Sequence, residues 1–294
     1  MKHSRGWLRW VTRLAVVASF GLIGWFLWQH AAELCAVDWR ALAWPTILSL
    51  LLYGLALGLQ GAVWITLWAS LTGIPWGWND VRTYFATHLM RRLPGAPWYM
   101  AGRAMIYREH SPEAARAALA VSLIEWGGLI LTGLVWVAGG CWGLPGVALC
   151  IVLLATGIPL MRYWNWPRRW VPLQRFSLCS LYLTLLIYTA QWILAALMLH
   201  EFLRALTPIH APDLLQTGVV WAISGVVSNL AVFAPAGLGI REISLVALLE
   251  PHVGLGYAVL GALLMRVIFT VGDMFWGLLV GLIALWTTWR ANTP

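Results

Sequence analysis

Apolar residues run along this chain in long blocks, and short segments that carry arginines, prolines and acidic residues separate the blocks. A helix needs roughly 20 apolar residues to cross the hydrocarbon core of a membrane. The pattern therefore predicts an all-α, polytopic membrane protein with about seven to eight transmembrane helices. The predicted spans are residues 11–30, 44–71, 114–138, 144–161, 177–200 and 214–233, followed by a broken apolar stretch over 243–289 that is long enough for two passes. Residues 251–254, Pro-His-Val-Gly, interrupt that stretch early, so its first piece is expected to be a half-helix.

Two segments rich in proline and glycine, each bearing arginine, interrupt the apolar blocks at residues 91–103 and 234–242. Non-helical backbone at membrane depth is tolerated only where protein buries it or where it lines a wet cavity. We therefore predict two broken or re-entrant segments at which something polar is handled. The prolines and glycines that define them are Pro94, Gly95, Pro235, Gly237 and Gly239.

The two breaks have the same order of features, which suggests an internal repeat. In each, an apolar span is followed by proline with glycine, by arginine, and by an apolar helix with a charge some two dozen residues further on. That later charge is Glu125 in the first copy and Arg266 in the second. Chance resemblance in a glycine-rich chain is the alternative. A true repeat would place a substrate path between the two halves.

Charged residues lie inside the predicted spans. Placing each charge at membrane depth costs several kcal/mol of free energy unless the charge is paired or hydrated. They indicate a site for an anionic headgroup. The predicted ligands are Arg103, Arg241 and Arg266 together with Gly95, Gly237 and Gly239, and the predicted supports are Pro94, Pro235, Glu125, Glu242 and Asp273. The alternative is a set of structural ion pairs that fix helix register, and Arg91 and Arg92 are weaker candidates that fit membrane topology as well.

Composition agrees with a membrane protein: 61% of the residues are hydrophobic, the mean hydropathy is +0.77 and only 10% are charged. Soluble domains carry about 25% charged residues. We expect one transmembrane domain over residues 1–294. The net charge of +8 is explained by basic loops and does not require nucleic acid. Eighteen of the 19 basic residues are arginines, which suit the binding of phosphate or carboxylate, although high genomic GC content would give the same bias.

Basic residues also predict the sides of the membrane. Four lie at the N-terminus, five lie between residues 72 and 113, and four lie between 162 and 175, so these segments are expected in the cytoplasm. The prediction is a bacterial inner-membrane protein with a cytoplasmic N-terminus, an uncleaved signal anchor and both breaks in the cytoplasmic half of the bilayer.

Catalytic signatures are scarce. The sequence contains no HExxH, Walker loop, nucleophile elbow, CxxC or paired aspartate motif, so we predict no enzyme activity, no metal and no cofactor. The seven histidines do not cluster, and His88 and His110 are interpreted as ordinary interface residues. The four cysteines are scattered and are expected to pack in apolar surroundings. Ser111 followed by Pro112 predicts a helix start.

The arginine-bearing breaks resemble those of the lysylphosphatidylglycerol synthase transmembrane, or flippase-like, family. The first break carries Arg92-Leu93-Pro94-Gly95 and leads to Gly102-Arg103, although residues 97–100 stand where the family proceeds directly through glycine to arginine. The second is similar to the family pattern Pro-x-Gly-Gly-x-Gly-x-Arg-Glu, in a slightly shortened form. It has Pro235, Gly237, Gly239, Arg241 and Glu242, and Arg266 follows.

The resemblance implies a translocase that binds an anionic lipid, either a phospholipid or a polyprenyl-phosphate-linked glycan, and helps its headgroup across the bilayer. The full-length synthases carry a soluble aminoacyl-transfer domain, which would have to follow residue 294, so we do not expect this chain to make lysyl-lipid. The alternative is a non-transporting membrane subunit that positions a glycosyltransferase or another lipid-processing enzyme. No nucleic acid is expected as a partner, and the oligomeric state stays open.

Overall fold

A computed structural model describes residues 25, 28–29, 37–88, 98–163, 176–207, 211–231 and 239–292. Over these residues the elements are helices, as the sequence predicts. In chain order they are α1 (Ala43–Thr72), α2 (Trp78–His88), α3 (Trp98–Arg108), α4 (Pro112–Tyr163), α5 (Leu178–Leu206), α6 (Leu214–Leu230), α7 (Ile240–Val253) and α8 (Leu255–Asn292).

Four of the described helices are long and apolar enough to cross a membrane, namely α1, α4, α5 and α8. Helix α6 is apolar too, but with 17 residues it is shorter than a full span. The predicted span 11–30 lies mostly outside the described residues. The total of seven to eight spans and the re-entrant nature of the breaks therefore stay predictions, whereas the all-helical architecture of the described residues is observed and is consistent with a membrane protein.

Helix α4 is two helices that meet at Gly143. A straight helix of its 52 residues would be about 78 Å long, far more than the roughly 30 Å of a hydrocarbon core. Gly143 has φ 62° and ψ −148°, which breaks the helix. A Cβ on Gly146 would lie 2.5 Å from the carbonyl oxygen of Ala138, so the chain turns back on itself there. The predicted separation of spans 114–138 and 144–161 matches this turn.

Local caps explain where several helices begin. The Ser111 hydroxyl accepts a hydrogen bond from the Ala114 amide at 3.0 Å, and α4 starts at Pro112. This confirms the predicted helix start. The Asp213 carboxylate accepts from the Gln216 amide at 2.7 Å and starts α6 in the same way.

The chain also breaks where the sequence predicts an interruption before residue 255. Helix α7 ends at Val253, Gly254 has φ 81°, and α8 begins at Leu255. Helix α8 packs against α7, α2, α1 and α5, and α4 packs against α3, α6 and α5. Each short helix that follows a break, α3 or α7, therefore lies on the long helix that comes next in the chain.

Candidate functional site

The breaks themselves fall largely outside the described residues, and with them Pro94, Gly95, Pro235 and Gly237. The helices that follow each break are described, and they carry the predicted arginines. Arg103 lies on α3, Arg241 lies on α7, and Arg266 lies on α8. These three side chains occupy two different environments.

Arg103 forms a fully buried ion pair with Glu125 of α4. Its Nη1 lies 2.6 Å from Glu125 Oε2, and neither side chain has any exposed surface. Its Nε donates to the Thr87 hydroxyl at 3.0 Å, and the Tyr84 hydroxyl donates to Glu125 Oε1 at 3.2 Å. The predicted role of Glu125 as the partner of an arginine is thus observed, and the pair joins α2, α3 and α4.

Aromatic rings enclose the Arg103 guanidinium. Its central carbon lies 4.3 Å from the ring centroid of Tyr84 and 5.2 Å from the centroids of Trp64 and Tyr99. Rings at these distances attract a cation through their negative faces. In this conformation the guanidinium is sealed from lipid and from water. Arg103 as a lipid ligand stays a prediction, and its observed contacts are those of a structural ion pair.

The same aromatic cluster ends at Tyr107, whose hydroxyl donates to Asp80 of α2 at 2.6 Å. Burial raises the pKa of Tyr107, and the hydrogen bond and charge of Asp80 raise it further. The phenol therefore stays neutral and remains a donor at physiological pH. This bond fastens the end of α3 to the start of α2, beside the buried arginine.

A second ion pair joins α7 to α8. Arg266 Nη1 lies 2.6 Å from Glu242 Oε1, and the two side chains are 27% and 22% exposed. The other carboxylate oxygen, Oε2, accepts a hydrogen bond from the Gly239 amide at 3.0 Å. Gly239 has φ 89°, a conformation that glycine adopts readily. Glu242 thus holds Arg266, as predicted, and also occupies an amide that was expected to be available for phosphate.

The Arg241 guanidinium packs against an aromatic ring of α6. Its guanidinium carbon is 3.9 Å from the ring centroid of Trp221 and 5.8 Å from that of Phe269. Gly225, one turn after Trp221, makes room for it: a Cβ there would lie 3.4 Å from Arg241 Nη2 and 2.5 Å from the Trp192 ring. Trp221 and Gly225 therefore form the surface of α6 against which Arg241 packs.

Arg241, Glu242 and Arg266 line one cavity, which contains about 310 Å³ of empty space with open solvent included. Apolar residues form the rest of its wall; they are Trp221, Leu245, Ala262, Met265 and Phe269. Ligand sites in proteins are commonly apolar clefts with a few placed polar groups. Arg103 is not among the residues that line this cavity, so the three predicted arginines do not form a single site here.

Asp273 contacts a tyrosine and a histidine of the described helices, and its predicted role in supporting the arginines stays a prediction. Its carboxylate accepts a hydrogen bond from the Tyr53 hydroxyl of α1 and lies 3.7 Å from His88 Nε2 of α2. Arg266, two turns earlier on the same helix, pairs with Glu242. His88 is 4% exposed and lies buried between the helices, and its interpretation as a membrane-interface residue stays a prediction.

Sequence analysis did not identify the aromatic residues that define the two environments. Trp221 and Gly225, four residues apart on α6, were a usable signal, since a large and a small residue at this spacing share a helix face. Trp64 and Tyr84 had no such signal, because their proximity to Arg103 depends on how α1 and α2 pack on α3.

No family model matches the chain, and no curated protein is significantly similar to it.

Proposed function

We propose that this protein is a translocase-like protein of the bacterial inner membrane that binds an anionic lipid at the cavity lined by Arg241 and Arg266. The observation that carries the proposal is the combination, in one partly open cavity, of two arginines and an apolar wall. An amphipathic lipid has matching parts, because its phosphate needs cationic donors and its neighbouring carbons need an apolar surface.

Arg241 would supply the main contact with the phosphate. A guanidinium offers parallel N–H donors that match two phosphate oxygens, and it stays charged at any physiological pH. Contact with the Trp221 ring limits the positions open to the guanidinium, which lowers the conformational entropy lost on binding. Arg266 would lie beside the phosphate, oriented by Glu242. The acyl or prenyl chains would stay in the lipid phase.

The route of the headgroup would lie between the two halves of the chain, with the cavity facing the cytoplasmic side. Support for that side comes from the basic segments at the N-terminus and at residues 72–113 and 162–175. The sequence has no nucleotide-binding motif. Movement would therefore be downhill, coupled to an ion or to the membrane potential, or driven by removal of the product.

Reconstitution tests the proposal. Purified protein in liposomes that contain a fluorescent phosphatidylglycerol or a fluorescent polyprenyl-phosphate sugar should bring the inner-leaflet label to an external quencher faster than empty vesicles do. Arg241→Gln should reduce the rate at least tenfold, since about 1.4 kcal/mol of lost phosphate contact is sufficient for this. Arg204→Gln, which changes an exposed arginine at the end of α5, is the matched control and should behave like the unaltered protein.

The results separate the proposal from its alternative. Lipid that binds through Arg241 but never moves faster than in empty vesicles would favour a non-transporting subunit beside a glycosyltransferase or other lipid enzyme. Binding and movement that are both unaffected by Arg241→Gln would show that the cavity is not the lipid site.

A further inference from the structure

The connection between α1 and α2, residues 73–77, exposes large apolar side chains together with the first residue of α2. Ile74 is 57% exposed, Trp76 is 56% exposed and Trp78 is 49% exposed. Three such side chains within five residues form an apolar patch that is unfavourable in water. This patch therefore needs an environment other than bulk water.

The length of α1 places the connection at the boundary of a membrane. Helix α1 has 30 residues and is about 45 Å long. A bilayer is about 40–45 Å thick when its headgroup regions are included. Because α1 is a candidate span, its two ends fall within the two headgroup layers, and the connection that follows Thr72 begins in one of them.

Tryptophans at the other ends of the long helices show the same pattern. Among the described residues of α1 and α4, the exposed tryptophans are Trp44 and Trp142. Trp44 is the second residue of α1, and Trp142 lies next to the turn at Gly143. Indole rings prefer the headgroup layer, where one side of the ring is apolar and the N–H meets polar groups. Trp76 and Trp78 fit the same layer at the end of α1.

A single carboxylate holds the connection in a fixed shape. Asp80 Oδ2 accepts a hydrogen bond from the Gly77 amide at 2.8 Å, and Asp80 Oδ1 accepts one from the Tyr107 hydroxyl of α3 at 2.6 Å. The ring centroid of Tyr107 lies 4.2 Å from that of Trp68 of α1. Asp80 thus links the connection to the aromatic residues beside the buried Arg103.

Arg82 adds a cation on the same side of α2 as the patch. It is exposed and lies four residues after Trp78, so the two side chains share a helix face. A guanidinium donates charge-assisted hydrogen bonds to phosphate. An apolar patch with an adjacent arginine matches a lipid headgroup layer, which presents phosphates above acyl chains.

We propose that Ile74, Trp76 and Trp78 form an interfacial anchor that lies in the phospholipid headgroup layer. Arg82 contacts lipid phosphate beside the anchor, and Asp80 holds the anchor in shape. The anchor sets the depth of α2 and α3 in the membrane. This inference does not depend on the cavity at Arg241.

A nitroxide spin label on Trp76→Cys tests the position of the anchor. The full chain, with its other cysteines replaced by alanine, is reconstituted in liposomes of phosphatidylethanolamine and phosphatidylglycerol. Collisions of the label with oxygen, which concentrates in lipid, are compared with collisions with a water-soluble nickel complex. Glu109→Cys, an exposed position in the turn between α3 and α4, is the matched control. The ratio of oxygen to nickel collisions should be at least roughly threefold higher for Trp76→Cys, because tryptophan positions favour the interface over water.

Either of two results would overturn the anchor. Equal ratios at the two positions would place the connection in water. A label at Trp76→Cys that collides with neither oxygen nor the nickel complex would be covered by protein, for example by a second copy of the chain, and not by lipid.

Asp80→Ala in the labelled chain tests the fixed shape. Loss of both hydrogen bonds should make the label at Trp76→Cys more mobile, which narrows its spectral lines, whereas Asn79→Ala, at an exposed neighbouring position, should leave the spectrum unaltered. If Asp80→Ala does not fold, Tyr107→Phe, which removes one of the two bonds, should narrow the lines to a smaller extent. Unchanged lines in both variants would show that Asp80 does not hold the anchor.

Discussion

The two ion pairs of this protein have the same layout and opposite surroundings. In each, a residue on the short helix after a break meets a residue on the following long helix at 2.6 Å. The first pair places the arginine on the short helix and has no exposed surface. The second places the carboxylate there, is about one quarter exposed and opens into a cavity.

The difference shows that a charged pair at a broken segment is not in itself a binding site. Around Arg103, rings from α1, α2 and α3 occupy the space that a ligand would need. Around Arg241 the ring centroids of Trp221 and Phe269 lie 3.9 and 5.8 Å from the guanidinium carbon, and both arginines line a partly open cavity. The aromatic cover, more than the charges, determines which pair can meet a lipid.

The largest expected effect is a loss of stability on substitution of Glu125, which should exceed the loss on substitution of Glu242. Glu125→Gln leaves Arg103 charged and buried without its counter-ion, which should lower the free energy of unfolding by about 3–5 kcal/mol. Thermal unfolding in detergent, followed by tryptophan fluorescence, measures the loss. Glu109→Gln, an exposed position between α3 and α4, should unfold like the unaltered protein. Equal stability of the two variants would mean that the burial of Arg103 does not depend on Glu125.

The next largest effect concerns Gly225, the glycine of α6 against which Arg241 packs. In Gly225→Ala the new methyl group would lie 2.5 Å from Trp192, so that ring or the helix must shift. Overpacking of this kind costs about 1–3 kcal/mol, and the displaced guanidinium should bind phosphatidylglycerol more weakly. Gly58→Ala, which has nothing within 4 Å, is the matched control. If Gly225→Ala were as stable and as active as Gly58→Ala, the close contact at α6 would be unimportant.

The support of Arg241 by Trp221 should have a smaller effect, and this effect should appear in binding. Trp221→Leu removes a cation–π contact worth about 0.5–2 kcal/mol, so phosphatidylglycerol should bind roughly 2- to 30-fold more weakly. Trp142→Leu changes an exposed tryptophan next to the turn at Gly143 and should leave binding unaltered. Unchanged affinity in Trp221→Leu would show that the ring does not position the arginine.

The smallest expected change in stability completes the comparison. Glu242→Gln breaks a pair that opens to solvent, so it should cost about 1 kcal/mol or less. Salt screens an open pair more than a buried one. In 1 M salt the effect of Glu242→Gln should therefore shrink, while that of Glu125→Gln should persist. An equal response of both variants to salt would remove the distinction between the pairs.

Much of the helical layout could be predicted, because it depends on short-range features. Apolar length defined α1, α5 and α6 to within a few residues, except for the C-terminal end of α5, which extends six residues beyond the predicted span to Leu206. The Ser111 cap and the break before Leu255 were visible as local residue patterns. The helix lengths, the cap and the break follow from backbone hydrogen bonding or from the length needed to cross a membrane. None of these features depends on a residue far away in the chain.

The partners of the charged residues could be predicted only in part. Glu125 and Glu242 contact arginines as expected. Asp273 contacts Tyr53 and His88, which come from helices more than 180 residues earlier in the chain and which no sequence pattern indicated. Helical spacing says which face of α8 carries Asp273 and Arg266, but it does not say which helix lies against that face at each level.

By itself the sequence determined the helices and the residues at which they begin and end, because these depend on local composition. It also determined that charges inside an apolar protein must be paired, because burying an unpaired charge is costly. Only the tertiary structure decided that Arg103 is enclosed and that Arg241 faces a cavity. Trp64 and Tyr84 reach Arg103 from α1 and α2, and Trp221 reaches Arg241 from α6. Contacts between residues so far apart in the chain arise when the helices pack, and no local pattern encodes them.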